Sequence, residues 1–287
     1  MKIIETATFR TLRYGLYWCG RIHKEEFMKV TGKMFGILVV LMFVLAVSTV
    51  CAGGQSEKAG EGEMVYVNGI DADFPPFAYI DEKGNPAGFD VESVDWIAEE
   101  MGFEVKHQPT AWDGIVESLL AGKIDFVASG MSITEERKER ISFTVPYWET
   151  DLAVAVQADA DISFEEALAG DYKIGVQRGT TAQMWLEDNL VASGQLDQKM
   201  IVIYDSFSLA VKDLLNGRVD AAMQDATMVE DAAAVQPIKV VGAQPSGEAY
   251  AYGVRKEDNE LREMLSEGIK RLQASPKWEE LKEKYEL

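Results

Sequence analysis

The sequence predicts an α/β protein with two lobes, each built on a mixed, mostly parallel sheet flanked by helices, and a ligand cleft between them. The first observation is a repeat: Leu-Leu-Ala-Gly-Lys-Ile-Asp at 119–125 returns as Leu-Leu-Asn-Gly-Arg-Val-Asp at 214–220. Each copy is typical of a helix that ends at a glycine and is followed by a buried strand. The second observation is that polar residues at 129–132 and 224–225 follow these strands, where open α/β sheets bind ligands. Coincidence is the alternative, because glycine and a basic residue are common between a helix and a strand.

The first half of the folded region alternates between strands and helices. Pro75 and Pro76 break the chain after the first strand, and 81–85 has the composition of a turn. Asp90 is predicted to cap a helix that Gly102 ends. In order, the predicted elements are strand 64–70, a helix with Val91, Val94, Ile97 and Met101 on its buried face, strand 104–108, helix 112–121 and strand 126–129.

A second series of strands and helices follows and supplies enough elements for a second sheet. Its predicted elements are strand 152–156, helix 164–168, strand 172–176, helix 180–190 capped by Thr180 or Thr181, strand 200–204, helix 207–215, strand 219–223, a helix capped by Asp225 and strand 238–241. Strand 249–254 and helices 259–273 and 276–285 complete the chain.

Composition excludes several classes of function. The chain has 287 residues and a net charge of −20, which argues against binding to nucleic acid or to anionic lipid. Cys19 and Cys51 are its only cysteines, and His107 is its only histidine after residue 51. Zinc sites of Cys and His and histidine-based catalytic triads are therefore not expected. No metal and no cofactor is predicted, since phosphate-loop, dinucleotide and calcium-loop motifs are absent from the sequence.

The front of the chain has the pattern of a secretory signal. An apolar run of eleven residues, 37–47, follows Lys29 and Lys33. It is shorter than the roughly 20 apolar residues of a membrane span. An uncleaved membrane anchor is nevertheless the alternative to a cleaved signal. Because Met28 could begin an ordinary signal peptide, we expect 28–51 to be the signal and 1–27 to be an over-extended start.

Cys51 stands just after the apolar run, in a segment that resembles a bacterial lipoprotein signal in which the cysteine is lipidated. Val50 is bulkier than the usual residue before that cysteine, so cleavage after Ala52 is the alternative. Residues 52–63 are rich in Gly and Glu and are predicted to form a flexible tether. The expected location is the periplasm or cell surface with a lipid anchor at Cys51, or the soluble periplasm after cleavage at Ala52.

A series of motifs from Val65 to the C-terminus resembles one family. The chain is similar to the solute-binding proteins that feed polar amino acids to ABC transporters, the family 3 periplasmic binding proteins. The motifs are Asp-Ala-Asp-Phe-Pro-Pro-Phe at 71–77, Gly-Phe-Asp at 88–90, Ser-Gly-Met-Ser-Ile-Thr-Glu-Glu-Arg at 129–137, Phe143 with Pro146-Tyr147, Gly-Thr-Thr at 179–181, and Asp-Ala-Ala at 220–222 with Asp225. The resemblance implies the type II periplasmic-binding-protein fold, with lobe 1 at 64–152 plus 247–287 and lobe 2 at 153–246.

The resemblance also implies how an amino acid would be held. Arg137 would bind the α-carboxylate, because a guanidinium matches a carboxylate bidentately. It would form one anion site with the backbone N–H and hydroxyl of Ser132 and with the Thr181 N–H, and Met131 of the same loop is counted among the ligand-binding residues. Asp225 and the Gly130 carbonyl would accept the α-ammonium. The alternatives are a surface arginine at 137 and simple helix caps at 181 and 225.

Selectivity would fall to four further residues: Asp71, Phe74, Trp112 and Gln177. The two aromatic rings could sandwich the ligand side chain, or could simply belong to the core. Two aspartates against one arginine leave the site acidic, which favours a basic ligand such as arginine or lysine over glutamine. Glutamine binders of the family also carry an aspartate at the position of Asp71. Arg178 and Glu149 could enter the pocket, and the sequence does not place them.

The expected function is therefore that of a non-catalytic extracytoplasmic binding protein. It would bind a polar, more often basic, L-amino acid as a monomer and deliver it to an ABC transporter permease in the membrane. The alternative hypothesis is a periplasmic enzyme resembling cyclohexadienyl dehydratase, with Glu149 or Asp225 as the general acid. A ligand-sensing module is the third reading.

Overall fold

The computed structural model describes residues 64–287. The predicted start 1–27, signal peptide 28–51, lipidation at Cys51 and tether 52–63 lie outside the described residues. Within 64–287 no helix is both long and apolar enough to cross a membrane.

The first sheet takes its strands from the two ends of the described chain. Its strand order is β5-β1-β6-β13-β7, with β1 parallel to β5 and β6, and with β13 antiparallel to β6 and β7. The elements are β1 Val65–Ile70, α1 Phe89–Met101, β5 Glu104–Pro109, α2 Ile115–Leu120, β6 Phe126–Val127, α3 Glu135–Arg140, β7 Ser142–Phe143, β13 Gly253–Val254, α8 Asn259–Ala274 and α9 Pro276–Lys284. A small separate sheet contains β2 Asp73–Phe74, β3 Ala78–Ile80 and β4 Pro86–Ala87.

The second sheet is formed by the middle of the chain. Its order is β10-β9-β11-β8-β12, in which β9 is parallel to β10 and β11 while β8 is antiparallel to β11 and β12. The elements are β8 Trp148–Gln157, α4 Phe164–Ala167, β9 Ile174–Gln177, α5 Thr181–Trp185, β10 Ile201–Tyr204, α6 Phe207–Leu215, β11 Ala221–Asp225, α7 Ala226–Val235 and β12 Ile238–Tyr250.

Two adjacent strands connect the sheets. The chain leaves β7 of the first sheet and enters β8 of the second, then returns through β12 to β13. β8 and β12 pair antiparallel from Trp148 opposite Tyr250 to Gln157 opposite Ile238. The lobe boundaries at 152–153 and 246–247 fall within these two strands, and they stay a prediction.

The sequence repeat corresponds to a repeated local structure. In both copies the helix is followed by a glycine with positive φ, +69° at Gly122 and +67° at Gly217, and then by a strand. The aspartate at the end of each copy accepts a hydrogen bond from a backbone N–H of a neighbouring segment, Asp125 from Val67 (2.9 Å) and Asp220 from Lys173 (2.8 Å). The prediction of one such unit in each sheet is confirmed.

Three local predictions were wrong. Strands 238–241 and 249–254 are divided differently in the structure, because β12 runs unbroken from Ile238 to Tyr250 through two register shifts and Gly253–Val254 is the separate strand β13 of the first sheet. Asp90 does not cap α1, since the helix begins at Phe89 after Gly88 and Asp90 is buried. Helix 180–190 is divided, since α5 ends at Trp185 and a wider turn continues over Leu186–Val191.

The core between helices and sheets matches the predicted apolar pattern on α1. Val91, Val94 and Ile97 are buried, as predicted, while Met101 is half-buried. An aromatic cluster lies where β8 and β12 reach the first sheet, and full burial of a ring such as that of Phe77 or Phe89 contributes roughly 1.5–3 kcal/mol. Its members are Phe77, Phe89, Tyr147, Trp148, Tyr250, Tyr252 and Trp278.

Candidate ligand-binding site

The candidate site lies where loops that follow the strands of the first sheet meet those of the second. A small cavity of about 10 Å³ lies there, with room for about one water molecule. Eight of the predicted site residues line it: Phe74, Trp112, Gly130, Ser132, Arg137, Gln177, Thr181 and Asp225. Thr180 and Gln224 also line it; both lie in segments that the sequence placed beside the site, but neither was named as a ligand-binding residue. An amino acid can enter only if these side chains or the two halves of the site move apart.

Arg137 is a buried cation in the wall of the cavity. It belongs to α3, whose N-cap Thr134 accepts the Arg137 N–H (3.1 Å), and it is only 7% exposed. Its Nη1 donates to the Ser132 carbonyl (2.7 Å) and its Nη2 to the Gly179 carbonyl (3.1 Å). Burial lowers the pKa of the guanidinium, while Asp225 acts in the opposite direction. Arg137 is therefore not a surface residue.

Asp225 ends β11 and faces the cavity instead of the helix that follows. It occupies the N-cap position of α7 but makes no side-chain capping bond. Its Oδ2 accepts a hydrogen bond from the Tyr250 hydroxyl. Burial, and then the negative charge of Glu248, raises the pKa of Asp225 to about 7. The helix-cap alternative for Asp225 is thus wrong, and the carboxyl group titrates near neutral pH.

The two threonines at the start of α5 have different positions. Thr180 is the N-cap: its Oγ1 accepts from the Gln183 N–H (3.4 Å) and donates to the Gln177 carbonyl (2.8 Å). Thr181 is the first residue of the helix and lines the cavity. The cap is therefore Thr180, which leaves Thr181 without the capping role.

Asp71 does not line the cavity, but hydrogen bonds through the side-chain amides of Gln177 and Gln224 connect it to the cavity. Gln224 Nε2 donates to Gln177 Oε1 (3.2 Å), and Gln177 Nε2 donates to Asp71 Oδ2 (2.7 Å). Burial raises the pKa of Asp71, and the bond from Gln177 opposes this shift. Because Asp71 follows β1 and Gln177 ends β9, this chain joins the two sheets through their polar strand ends.

The two aromatic residues have separate roles in the cavity wall. Phe74 is buried and packs so closely on Gly130 (φ +58°) that a Cβ there would lie 2.4 Å from its ring. Trp112 is half-buried, and its Nε1 donates to the Gly179 carbonyl (3.1 Å). The Arg137 guanidinium lies over the Trp112 ring, 5.1 Å from the ring centre. Phe74 is thus both a core residue and a wall of the cavity.

Three other residues named from the sequence lie outside the cavity. Met131 is fully buried in the cluster of Ile115, Leu119 and Ile124, because alternate residues of an extended segment point to opposite sides and Ser132 takes the cavity side. Glu149 is exposed on β8. Arg178 lies at the surface between Asp113 (3.7 Å) and Asp205 (3.8 Å).

Two residues of β12 next to the cavity were not named from the sequence. Glu248 Oε2 accepts a hydrogen bond from the Ser132 hydroxyl (2.6 Å), and Tyr250 donates to Asp225. The predicted strand began at Ala249, which left Glu248 in a loop. An earlier strand start would have placed both residues on one face, since they are two positions apart. Within 64–287, no group of three or more His, Cys, Asp or Glu residues is placed to hold a metal ion.

Comparison with known proteins adds sequence and structural relatives. The model of the bacterial extracellular solute-binding proteins, family 3, matches residues 66–287. An L-arginine-binding protein of Pseudomonas aeruginosa is 33% identical over 227 residues, which are 76% of this chain and 86% of that protein.

Two solved structures have the same fold. One is an ancestral arginine-binding protein bound to arginine, with TM-score 0.70 and 34% identity over 77% of this chain and 97% of that one. The other is an ancestral amino acid-binding protein described as a precursor of cyclohexadienyl dehydratase, with TM-score 0.70 and 31% identity over 77% of this chain and 95% of that one. The predicted two-lobed fold and the family resemblance are confirmed.

Proposed function

The chain belongs to the bacterial extracellular solute-binding proteins, family 3, and we therefore propose that it binds a basic L-amino acid for an ABC transporter. Arginine or lysine is preferred over glutamine in this proposal. The observation that carries it is the meeting of buried Arg137 with buried acids from both sheets around one cavity. The L-arginine-binding relative and the arginine-bound ancestral structure support the same class of ligand.

The cavity supplies complementary groups for both charges of an amino acid. The planar fork of Arg137 fits the α-carboxylate, with the backbone N–H groups of Ser132 and Thr181 as further donors. Asp225 and the Gly130 carbonyl fit the α-ammonium. Because Arg137 belongs to the first-sheet half and Asp225 to the second, a zwitterion that bridges them would favour closure.

An excess of negative charge favours a ligand with a positive side chain. Asp71, Asp225 and Glu248 lie around the site, whereas Arg137 is the single buried cation among residues 64–287. An unpaired buried charge is costly, so a ligand with a net positive charge is bound more favourably than a neutral one. Phe74 and the Trp112 ring offer the flat surfaces on which a guanidinium packs.

Ligand binding would replace hydrogen bonds that now join the two halves. Gly179 accepts from both Trp112 and Arg137, and Gln177 donates to Asp71. A carboxylate on Arg137 and a cation at Asp71 would take over two of these bonds. The closed form would then be the one that the membrane permease accepts, with the protein acting as a monomer.

Attachment to the membrane is part of the proposal. Cys51 would carry the lipid, and cleavage after Ala52 would instead release a soluble periplasmic protein. Labelling cells with a radioactive fatty acid distinguishes the two, because a C51A variant should lose a label that the unaltered protein carries. An unlabelled native protein would rule out the anchor.

The ligand can be identified by a thermal-shift screen. The protein is unfolded and refolded to remove any bound ligand and is then tested with each of the twenty L-amino acids. We expect clear stabilisation by arginine or lysine and a smaller effect of glutamine. Stabilisation by glutamine above both would keep the binding function and contradict the charge argument.

A dehydratase remains a second candidate on one specific observation. Asp225 lies in the cavity with a pKa of about 7, so at neutral pH part of the protein holds a proton there that a general acid could donate. The exposed Glu149 offers no comparable site. Incubation with prephenate separates the two functions: we expect no phenylpyruvate, and its formation would make the protein an enzyme.

A further inference from the structure

Glu248 lies beside the candidate site in a position that neither its motifs nor its family resemblance named. It follows the second register shift of β12, opposite Thr150 of β8. Its Oε2 accepts the hydrogen bond of the Ser132 hydroxyl at 2.6 Å, and Ser132 lines the cavity. Two residues further, on the same strand, Tyr250 donates to Asp225. One strand therefore supports polar groups from both halves of the site.

The bond from Ser132 to Glu248 limits what the hydroxyl can do for a ligand. A hydroxyl group has one hydrogen and can accept through its lone pairs. Since that hydrogen is donated to Glu248, the Ser132 oxygen is left as an acceptor. An acceptor cannot donate to a ligand carboxylate, but it can accept from an ammonium group. The hydroxyl thus joins the Gly130 carbonyl and Asp225 as an acceptor, which corrects the expectation that it donates to the carboxylate.

The negative charge of Glu248 also reaches the cavity. It is the second cause, after burial, of the raised pKa of Asp225, and it favours the charged form of Arg137. Glu248 and Asp225 therefore act on each other, and a cation between them would relieve their repulsion. The Ser132 hydroxyl would contact this cation directly, and the negative charges of the two carboxylates would attract it.

We propose that Glu248 is a positioning and specificity residue for the α-ammonium group of the ligand: it orients the Ser132 hydroxyl as an acceptor and adds a negative charge beside Asp225. The proposal rests on the function proposed above. It assigns the Ser132 hydroxyl to the ammonium and leaves the Ser132 backbone N–H for the carboxylate.

Two ligands that differ only in the ammonium group test this role. They are L-arginine and the analogue in which hydrogen replaces the α-amino group, and their affinities are compared by calorimetry in the unaltered protein and in two variants. Glu248→Gln keeps an acceptor but removes the charge, whereas Glu248→Met removes both. Glu149→Gln is the matched control, because it removes an exposed carboxylate from the neighbouring strand.

We expect the preference for arginine over the analogue to fall roughly tenfold in Glu248→Met, the order expected for a lost charge and hydrogen bond at a partly buried cation. Glu248→Gln should show a smaller fall, and Glu149→Gln none. An unchanged preference in the Glu248 variants, or equal weakening of both ligands, would overturn the proposal. If Glu248→Met does not fold by circular dichroism, Glu248→Gln decides alone. A protein that binds no amino acid before substitution would instead contradict the proposed function.

Discussion

Arg137 is the residue on which the proposed binding mode depends most. It is buried, its guanidinium is fixed by two carbonyl groups, and it lines the cavity. Arg137→Ala should weaken amino-acid binding by about 2–5 kcal/mol, roughly 30-fold or more, because the α-carboxylate loses its charged partner. Calorimetry measures the loss, and a tenfold or smaller effect would contradict this assignment.

Arg137→Lys separates the geometry of the fork from the charge alone. A lysine keeps the charge but cannot make two parallel hydrogen bonds to a carboxylate. We expect an affinity between that of the unaltered protein and that of Arg137→Ala. Arg140→Ala is the control, since Arg140 lies on the same helix and pairs at the surface with Glu117.

Asp225 should make ligand binding depend on pH. Its pKa is about 7 in the structure, and a bound α-ammonium favours the ionised form and lowers that pKa. Binding below pH 7 must therefore expel a proton, so affinity should rise by up to about tenfold per pH unit toward pH 7 and then level. Titrations between pH 5.5 and 8 measure this rise.

Asp225→Asn is the variant that checks the origin of this pH dependence. It should bind more weakly at pH 8 and show little change in affinity between pH 5.5 and 8. A variant that retains the full rise of affinity would show that another group titrates.

Among single residues, eight of the ten that were named from the sequence as ligand-binding residues line one cavity, because they lie in short motifs of the loops and helix starts that follow strands. Arg137 and Thr181 are examples, and the structure brings both to the cavity. Glu248 could not be found in this way, since its partner Ser132 is 116 positions distant. Met131 was assigned by its place in a motif, whereas its side-chain direction depends on the backbone.

The start of α1 holds the loop that carries Phe74. The backbone N–H groups of Phe89 and Asp90 donate to the carbonyls of Pro76 and Phe77 (both 2.9 Å). Gly88 precedes them with φ of +124°, and a Cβ there would lie 2.2 Å from the Phe77 oxygen. Only glycine allows this approach of helix and loop.

Gly88→Ala should therefore destabilise the protein more than Gly84→Ala. Both glycines have positive φ, which costs a non-glycine residue about 1–2 kcal/mol, but no atom lies within 4 Å of a Cβ at Gly84. We expect Gly88→Ala to lower the free energy of unfolding by about 2 kcal/mol or more beyond Gly84→Ala. Urea titration measures both, and equal losses would contradict the account of this contact.

Helices whose apolar residues repeat regularly were predictable from the sequence. The full length of a strand that is extended by pairing with a neighbouring strand was not. Helix 207–215 was predicted with its observed limits, because its apolar residues repeat regularly. The region of β12 was predicted as strand 238–241 and the start of strand 249–254, and the residues between them include Pro245 and Gly247, which are of types common in turns. The structure keeps the strand continuous by pairing it with β8 on both sides of two register shifts.

The free energy of unfolding of the whole molecule should depend on pH because of its buried acids. Burial raises the pKa of Asp90 to about 7, although the Gly130 N–H and the Tyr147 hydroxyl each donate to its Oδ2 (both 2.7 Å). The folded state therefore binds a proton at Asp90 more tightly than the unfolded chain does. The resulting contribution to stability is present below about pH 4 and is lost as pH rises to about 7.

Asp90→Asn tests this linkage, because an amide oxygen can still accept both hydrogen bonds and has no charge to titrate. The free energy of unfolding of the unaltered protein, relative to the variant, should fall by a few kcal/mol between pH 4 and pH 8. Denaturant titrations at the two pH values give the difference. A constant difference would show that Asp90 does not titrate in this range.

The two-sheet organisation was predictable from the repeat, since each copy has its own glycine, strand and aspartate bond. The close approach of the two halves of the site could not be predicted from the repeat. It depends on contacts such as that between Gln177 and Asp71, which are 106 positions apart. These contacts also define the cavity in which both ligand charges would be bound.

Calorimetric titration of the ligand-stripped protein with L-arginine and with L-glutamine shows whether the cavity prefers a basic amino acid to a neutral one. We expect saturable one-to-one binding of arginine, at least about tenfold tighter than glutamine, which corresponds to about 1.4 kcal/mol. Tighter binding of glutamine, or no binding of either amino acid, would contradict the claim that the acidic cavity selects a basic amino acid.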